Sequence, residues 1–543
     1  MPHSVLDPPH ESLAVSPEPV SARPLRPTIG FVSLGCPKNL VDSEVMMGLL
    51  DRAGGELTAR AEDAEILVVN TCSFIDSAKQ ESVNAILEMV QHKRENGGKA
   101  RRLIVAGCLV ERYRDEIRRN IPEVDAVVGT GELEAILEAA GLVAQGLAPQ
   151  PQDAQHPISP FNILVGRAAS AVHQHSHPTE IGEQIAVEHA PDAKSSSRAE
   201  GDRREQQGRF SRAHWEGATA ALPEYLYSDE TPRLLSTPRA SAYIKIAEGC
   251  DHPCSFCIIP QLRGKFRSRR LESIVAEAER LIAQGVREIT LIGQDTTCYG
   301  EDLGLRDGLS TLLESLAVLP GLKWLRFLYA YPNKITTRLL ETMARHETIA
   351  KYLDVPLQHA SPSVLKRMKR GGTPEVFLRL IEKARAIVPG IALRTSFIVG
   401  FPGETDEDFA QLEAFVKAAQ IDWLGVFSYS DEEGAAAFDL DAALKVPKRT
   451  IETRRRRLMR VQQKISAKSK AAWIGREVEV LVEGESDETE LLWQGRTALH
   501  APEIDGKVLI NDFGPHETLV PGTFYRALIT ESHDYDVVAR IVE

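Results

Sequence analysis

Three cysteines stand within eight residues of the stretch "IAEGCDHPCSFCIIP": Cys250, Cys254 and Cys257, four and three positions apart. Three thiolates this close suit zinc or an iron–sulfur cluster. A structural zinc site wants four ligands, and no fourth Cys or His follows at short spacing. His252 lies between the cysteines, where the chain is too tight for it to join them easily. A cubane held by three protein ligands leaves one iron open. That open iron can hold a small molecule and pass it an electron.

A second set of cysteines is spread along the first part of the chain. Cys36, Cys72 and Cys108 are separated by 36 residues each time. The seventh cysteine, Cys298, is read as a free thiol rather than a ligand. The count is odd and the N-terminus "MPHSVLDPPHESLAVSPEPVSARPLRP" has no apolar core of the signal-peptide kind. A disulfide framework is therefore disfavoured, and metal binding or catalysis is expected. No run of about 18 apolar residues occurs, so no membrane span is expected and the protein is read as cytoplasmic.

The elements that must position these thiols follow from the hydrophobic pattern. Residues 28 to about 143 alternate strands ("TIGFVSLGC", "AEILVVNTC", "RRLIVAGC", "VDAVVGT") with helical runs. This alternation predicts a parallel, doubly wound sheet. Cys36, Cys72 and Cys108 each fall at the carboxyl end of a predicted strand, the rim where open parallel sheets bind ligands. The plainer alternative is that they are buried core cysteines.

From 241 onwards six further strands are predicted: "AYIKIAEG", "EITLIGQ", "WLRFLYA", "YLDVPLQ", "LRTSFIVG" and "WLGVFSYS", separated by amphipathic helices. Six parallel units argue for a partial (β/α) barrel of the TIM type, with its chemistry at the carboxyl ends of the strands. Cys250, Cys254 and Cys257 follow the first of those strands. Gln294 and Asp295 end the second, Gln358 the fourth, Arg394 lies within the fifth and Gly400 to Glu404 follow it. Rim packing and capping are the alternative for each. Arg263, Lys265, Arg267, Arg269 and Arg270 either bind substrate phosphate or carboxylate or solvate a loop.

The expected boundaries are a disordered extension at 1–28, an α/β domain at 29–143, a disordered insertion or linker at 144–235, the partial barrel at 236–470 and a C-terminal domain at 471–543. The linker contains His173, His175 and His177, which are read as solvated, with metal binding as the alternative. A basic helix at 445–470, with Leu458, Val461 and Ile465 on one stripe, is read as a connector with RNA contact as the alternative. Five short β runs after it predict a small antiparallel β-barrel of the oligonucleotide-binding type. That last segment carries 15 Asp and Glu against 5 Lys and Arg, a net of −10 of the chain's −13. Such a balance opposes phosphate and favours a basic partner.

The motif CxxxCxxC in "CDHPCSFC", with Phe256 before the last cysteine, resembles that of the radical S-adenosylmethionine (SAM) enzymes. "SLGCPKNLVDSE", "NTCSFIDSAKQES" and "AGCLVERY" resemble the N-terminal domain of the methylthiotransferases among them. "QLRGKFRSRR", "LIGQDTTCYG", "YLDVPLQHAS", "LKRMKRGG" and "RTSFIVGFPGET" resemble their radical-SAM core, and the acidic barrel resembles their TRAM domain. The resemblance covers 29–143 and 236–543. It implies that Cys250, Cys254 and Cys257 hold a 4Fe-4S cluster that chelates and cleaves SAM. It further implies that Cys36, Cys72 and Cys108 hold a second 4Fe-4S cluster carrying the sulfur for the product. Phe256, Gln294, Asp295, Gln358, Arg394 and Gly400 become candidate SAM contacts. Two branches of the family differ in substrate. One modifies an adenosine of transfer RNA; the other, the RimO type, acts on the β-carbon of an aspartate in small-subunit ribosomal protein S-twelve. The wording of the motifs and the acidic C-terminus favour the second, with that protein or the small ribosomal subunit as partner. A flavodoxin- or ferredoxin-like electron donor is implied but not identified.

Overall fold

The computed structural model describes residues 26–142, 224–238, 240–486 and 489–543. Most of the expected extension (1–25) and of the expected linker (144–223, with its three histidines) lies outside the described residues. The end of that linker is a correction to the sequence reading. Tyr227 is buried, and Arg233 pairs with Glu44 at 2.6 Å and Glu277 at 2.7 Å. One guanidinium answering two carboxylates fastens 224–235 between the first two domains.

The N-terminal domain is a five-stranded parallel sheet of order β2-β1-β3-β4-β5: β1 (Thr28–Ser33), β2 (Glu56–Thr58), β3 (Ile66–Thr71), β4 (Arg102–Gly107) and β5 (Ala126–Val128). Helices cover both faces. Ile29, Phe31, Ile66, Val68, Ile104 and Ala106 pack against α1 (Pro37–Arg52) and α4 (Ile136–Ala140). Val32, Leu67, Val69, Leu103 and Val105 point the other way, onto α2 (Asp76–Val90) and α3 (Cys108–Asn120). Burial on both faces is why these strands read as unbroken apolar runs.

The central domain holds two three-stranded parallel sheets. One is ordered β10-β9-β6 and the other β11-β12-β13, from β6 (Ser241–Lys245), β9 (Glu288–Ile292), β10 (Trp324–Phe327), β11 (Tyr352–Asp354), β12 (Ala392–Val399) and β13 (Trp423–Ser428). A bridge between Leu325 and Ile349 joins them into one open arc of six. The short pair β7 (Ala247–Glu248) and β8 (Arg267–Ser268) flanks the cysteine loop, and α5 (Ile259–Arg263) follows it. Outward-facing residues such as Ile244, Leu291, Phe327 and Phe397 pack on the surrounding helices. Inward-facing Tyr243, Ile292, Leu328, Tyr352 and Trp423 pack against α1 of the first domain and Ala501 of the last. The missing quarter of the barrel is thus filled by its neighbours.

A 24-residue connecting helix, Lys448–Ala471, lays Ile451, Arg454, Leu458, Gln462, Ser466 and Lys470 against the central domain. Val461 and Ile465 are partly buried beside them. Five strands then close a barrel in the order β14-β15-β16-β18-β17, with β14 at Glu477–Ser486, β15 at Thr489–Arg496 and β17 at Phe524–Ser532. Four pairings are antiparallel, but β16 (Val508–Asp512) and β18 (Val537–Ile541) run parallel where the barrel closes. Arg496 of this barrel enters the amino end of the central one and meets Glu288 at 2.9 Å. With Arg326 beside it as well, the Glu288 carboxyl stays ionised, held down to about 2 although burial alone would raise it. No helix among the described residues is long and apolar enough to cross a membrane.

Candidate active site

Cys36, Cys72 and Cys108 end or follow β1, β3 and β4, which are adjacent in the sheet. Neighbouring strands lie about 4.8 Å apart, so the three thiols arrive along roughly 10 Å of one rim. Their backbone is tied down. Cys36 caps α1, and its carbonyl accepts from the N–H of Asn39 and Leu40. Ser82 Oγ bonds the N–H and the carbonyl of Cys72 at 3.0 and 2.9 Å. Gly35 has φ +91, and a Cβ there would sit 2.8 Å from Cys72 Cβ. Burial, then the charges of Cys108 and Cys36, push the Cys72 thiol up. Burial also raises Cys108, to about 11, against the pull of Arg263. Cys36 is the exception: burial opposes ionisation, but Lys38, Arg263 and two backbone N–H groups together lower it. All three thus stand at the carboxyl rim of three adjacent strands.

The other triad sits in the loop between β7 and α5. Cys250 N–H donates to Gly264 O and Cys257 N–H to Cys254 O, both at 3.2 Å. Between them Ser255 pins the loop, donating to Met368 O and Arg367 O. Phe256 packs with Val364, Met368 and Phe401. Arg370 Nη1 lies 3.5 Å from Cys254 Sγ and its guanidinium covers the Tyr331 ring. Tyr331 in turn stacks on His252 at 4.0 Å. Burial pushes Cys250 up to about 11 and Cys257 to about 12.

Among the described residues, the trio of metal-ligating atoms that fits within 4.8 Å is His252, Asp295 and Cys298. Both cysteine triads are spread more widely. A single zinc ion, with bonds of about 2.3 Å, would draw its sulfurs to roughly 4 Å. Neither triad, as it stands, has the close sulfur spacing of a single-zinc site. Asp295, for its part, is already occupied: it accepts from His252 Nε2 (2.5 Å), Thr297 N (2.8 Å), Thr297 Oγ1 (2.5 Å) and Cys298 Sγ (3.1 Å). His252 is thus engaged by Asp295, and Cys298 is a free thiol that hydrogen-bonds the same carboxylate.

Between the two triads runs a buried polar network. Lys245 bonds Asp42 and Glu248, and Arg263 Nη1 lies 3.0 Å from Asp42 and 3.1 Å from Glu248. Gln294 Nε2 donates to Glu248 at 2.7 Å, while its Oε1 is buried without a partner. Lys38 Nζ reaches Gly293 O and covers the Tyr329 ring at 3.5 Å. Charges buried this deeply are tolerated because each is paired.

Of the remaining candidates, Gln358 is half-buried with φ +72, its backbone bonded to Ser396 and Ile398 of β12. Gly400 is backed by Ile451 of the connecting helix, 2.3 Å from where a Cβ would be. Arg394 stands in the amino-terminal half of β12, paired with Asp354 at 2.9 Å and 3.6 Å from Asp505 of the C-terminal barrel. It thereby links the central domain to the C-terminal barrel. The open reading of the arginines also divides. Arg263 and Arg269 are buried in ion pairs, whereas Lys265 and Arg270 are exposed. Asp42, Lys245, Glu248 and Arg370 carry no sequence assignment. A lysine and a glutamate three apart in the apolar run "AYIKIAEG" are the available signal, since isolated charges are not buried there.

Comparison with known proteins agrees with this architecture. Residues 28–129 match uncharacterized protein family UPF0004, 244–416 the radical SAM superfamily and 474–542 the TRAM domain. The chain is 65% identical over 514 residues to the ribosomal protein uS12 methylthiotransferase RimO of Koribacter versatilis, covering 95% of this chain and 96% of that one. It is 52% identical over 516 residues to the protein of the same name from Solibacter usitatus, covering 95% and 94%. Among solved structures it is similar to the radical SAM methyltransferase TsrM of Kitasatospora setae, at TM-score 0.44 and 16% identity over 74% of this chain and 72% of that one. With such identity sustained over nearly the whole length, the chain belongs to the RimO family of radical-SAM methylthiotransferases.

Proposed function

We propose that the protein transfers a methylthio group to the β-carbon of an aspartate in small-subunit ribosomal protein uS12. The reading rests on its 65% identity to a protein of that name and on two cysteine triads brought to one domain junction. Cys250, Cys254 and Cys257 would hold one 4Fe-4S cluster, and Cys36, Cys72 and Cys108 a second. When bound, the first supplies the electron that splits SAM to a carbon-centred radical, and the second supplies sulfur. Each triad offers three thiolates, which on a cubane leaves one position for an exchangeable partner.

The chain's own residues supply orientation and a dry environment. Phe256 backs the cysteine loop. Gln294 has a free buried carbonyl beside Glu248 to receive an amine. Asp295 fixes His252, and thereby the Tyr331–Arg370 stack over the loop. Gln358 and Gly400 belong to the same rim through their strands. Arg394 contributes through Asp354, because its charge is already matched.

The partner is a basic protein rather than transfer RNA. The net −10 of residues 471–543 favours it by charge complementarity, and the relatives carry the uS12 name. The exposed arginines of the connecting helix are the feature on which the transfer-RNA branch would rest. A cytoplasmic protein reduced by a flavodoxin- or ferredoxin-like donor completes the reading. To test it, anaerobically reconstituted protein is incubated with SAM, reductant and either uS12 or transfer RNA. Mass spectrometry should find one added methylthio group on an aspartate of uS12; modification of the RNA alone would overturn the assignment.

A further inference from the structure

The cysteine loop of the central domain and the third cysteine of the N-terminal domain are in contact through one short helix. α5 begins two residues after Cys257. Its Leu262, with Ile258 just before it, buries against Cys108. Leu262 O accepts from Thr130 Oγ1 of the N-terminal domain at 2.8 Å. The helix ends on Arg263, which is only 1% exposed.

The two arms of the Arg263 guanidinium are divided. Nη1 serves the carboxylates of Asp42 and Glu248 at 3.0 and 3.1 Å. Nη2 turns to Asn39 Oδ1 at 3.3 Å and to the sulfur of Cys108 at 3.6 Å. Charge balance alone would need only the first arm. A buried charged donor aimed at a thiol withdraws electron density from it. At a thiolate-ligated iron–sulfur centre, hydrogen bonds to sulfur and nearby positive charge favour the reduced state and raise the potential.

On the reading that Cys36, Cys72 and Cys108 ligate a cluster, we propose that Arg263 is a positioning residue of that centre. Its Nη2–H to the Cys108 sulfur, delivered from the other domain, holds the centre's reduction potential up. Docking of the two domains thereby sets the redox poise of the second centre, and the helix that follows the SAM-cleaving loop carries the donor. Lysine cannot replace arginine here, because one ammonium cannot pair with Asp42 and Glu248 and also reach Cys108.

The experiment uses the full-length chain with Cys250, Cys254 and Cys257 each changed to alanine, reconstituted anaerobically with iron and sulfide. Iron content tests the ligand assignment by itself; failure of this protein to bind about four irons overturns the second-cluster reading. With iron bound, a redox titration followed by electron paramagnetic resonance compares Arg263, R263K and R263Q. The expected result for R263Q is at least a tenfold fall in the reduced-to-oxidised ratio at fixed potential, about 59 mV for one electron. R263K should shift the same way by less. Unchanged potentials in both variants overturn the inference. If R263Q does not fold, R263K decides: a lowered potential supports the inference and an unchanged one overturns it. Loss of iron from both variants also counts against it, since a tuning donor is not needed for assembly.

Discussion

Arg112 Nη1 of the N-terminal domain donates to Glu432 Oε2, in the loop after β13, at 2.7 Å, with both side chains 2% exposed. Lys79 reaches the same oxygen at 2.9 Å, and Arg112 Nη2 donates to Glu433 O at 2.7 Å. The same guanidinium bonds Ser73 O, beside Cys72. One carboxylate of the central domain therefore gathers two cations next to the second triad. In E432A both cations lose it, and breaking a buried pair from one side costs about 3–5 kcal/mol. Urea unfolding should show a loss of that size. SAM cleavage should suffer less than methylthio transfer, because Glu432 holds the N-terminal domain and not the Cys250–Cys257 loop. Equal loss of both activities would contradict this division.

The two triads predict opposite phenotypes. C254A should abolish SAM cleavage. C72A should cleave SAM under reducing conditions but insert no sulfur, and its iron content should fall from about eight to about four per chain. A C72A protein that still methylthiolates substrate would remove the second-cluster assignment.

Gly35 offers a test that alters no ligand. At φ +91 a side chain is strained by about 1–2 kcal/mol, and a Cβ would meet Cys72 Cβ at 2.8 Å and Sγ at 3.1 Å. G35A should therefore displace Cys72 and lose iron from the N-terminal triad while cleavage of SAM persists. Full iron occupancy in G35A would mean that the rim is looser than these contacts imply.

How far the sequence foretold this arrangement depends on the range of the interaction. The ten strands read from 28–143 and 241–430 are present, because strands buried on both faces are largely apolar runs. Glu56–Thr58 was not legible: it is a three-residue edge strand with an exposed first residue. The parallel closure of β16 on β18 was equally hidden, since pairing direction leaves no mark on a short strand. Placing Cys36, Cys72 and Cys108 on one rim needed only strand ends, which are local. The Asp42–Lys245–Glu248–Arg263 network needed the domains to meet, and single charges in a sequence do not name their partners across 200 residues. Arg263 in "QLRGKFRSRR" looks like its exposed neighbours until burial separates it from Lys265 and Arg270. The approach of Arg394 to Asp505, 3.6 Å away in another domain, was hidden in the same way.

His359 gives the fold a pH dependence whose sign can be worked out. The ring is fully buried; Nδ1 accepts from Ser361 N–H at 2.9 Å and Nε2 has no hydrogen-bond partner among the described residues. Burial, against the pull of Asp408 and with the help of Arg367 and Arg454, lowers its pKa to about 3. The unfolded chain would hold that proton from about pH 6.5 downward. Between those values the unfolded state binds more protons, so stability is complete above pH 6.5 and falls as pH drops toward 3. The contribution is on the order of a few kcal/mol. His500, also buried and lowered, adds a slope of the same sign. H359N keeps an acceptor for Ser361 N–H but cannot take up the proton. Its unfolding free energy, measured in urea between pH 6.5 and 4.5 to stay clear of the Asp408 titration below, should decline less steeply than that of the parent protein. Parallel slopes would mean that His359 is accommodated as a cation, with Glu404 Oε2, 3.9 Å from Nε2, as its counter-ion.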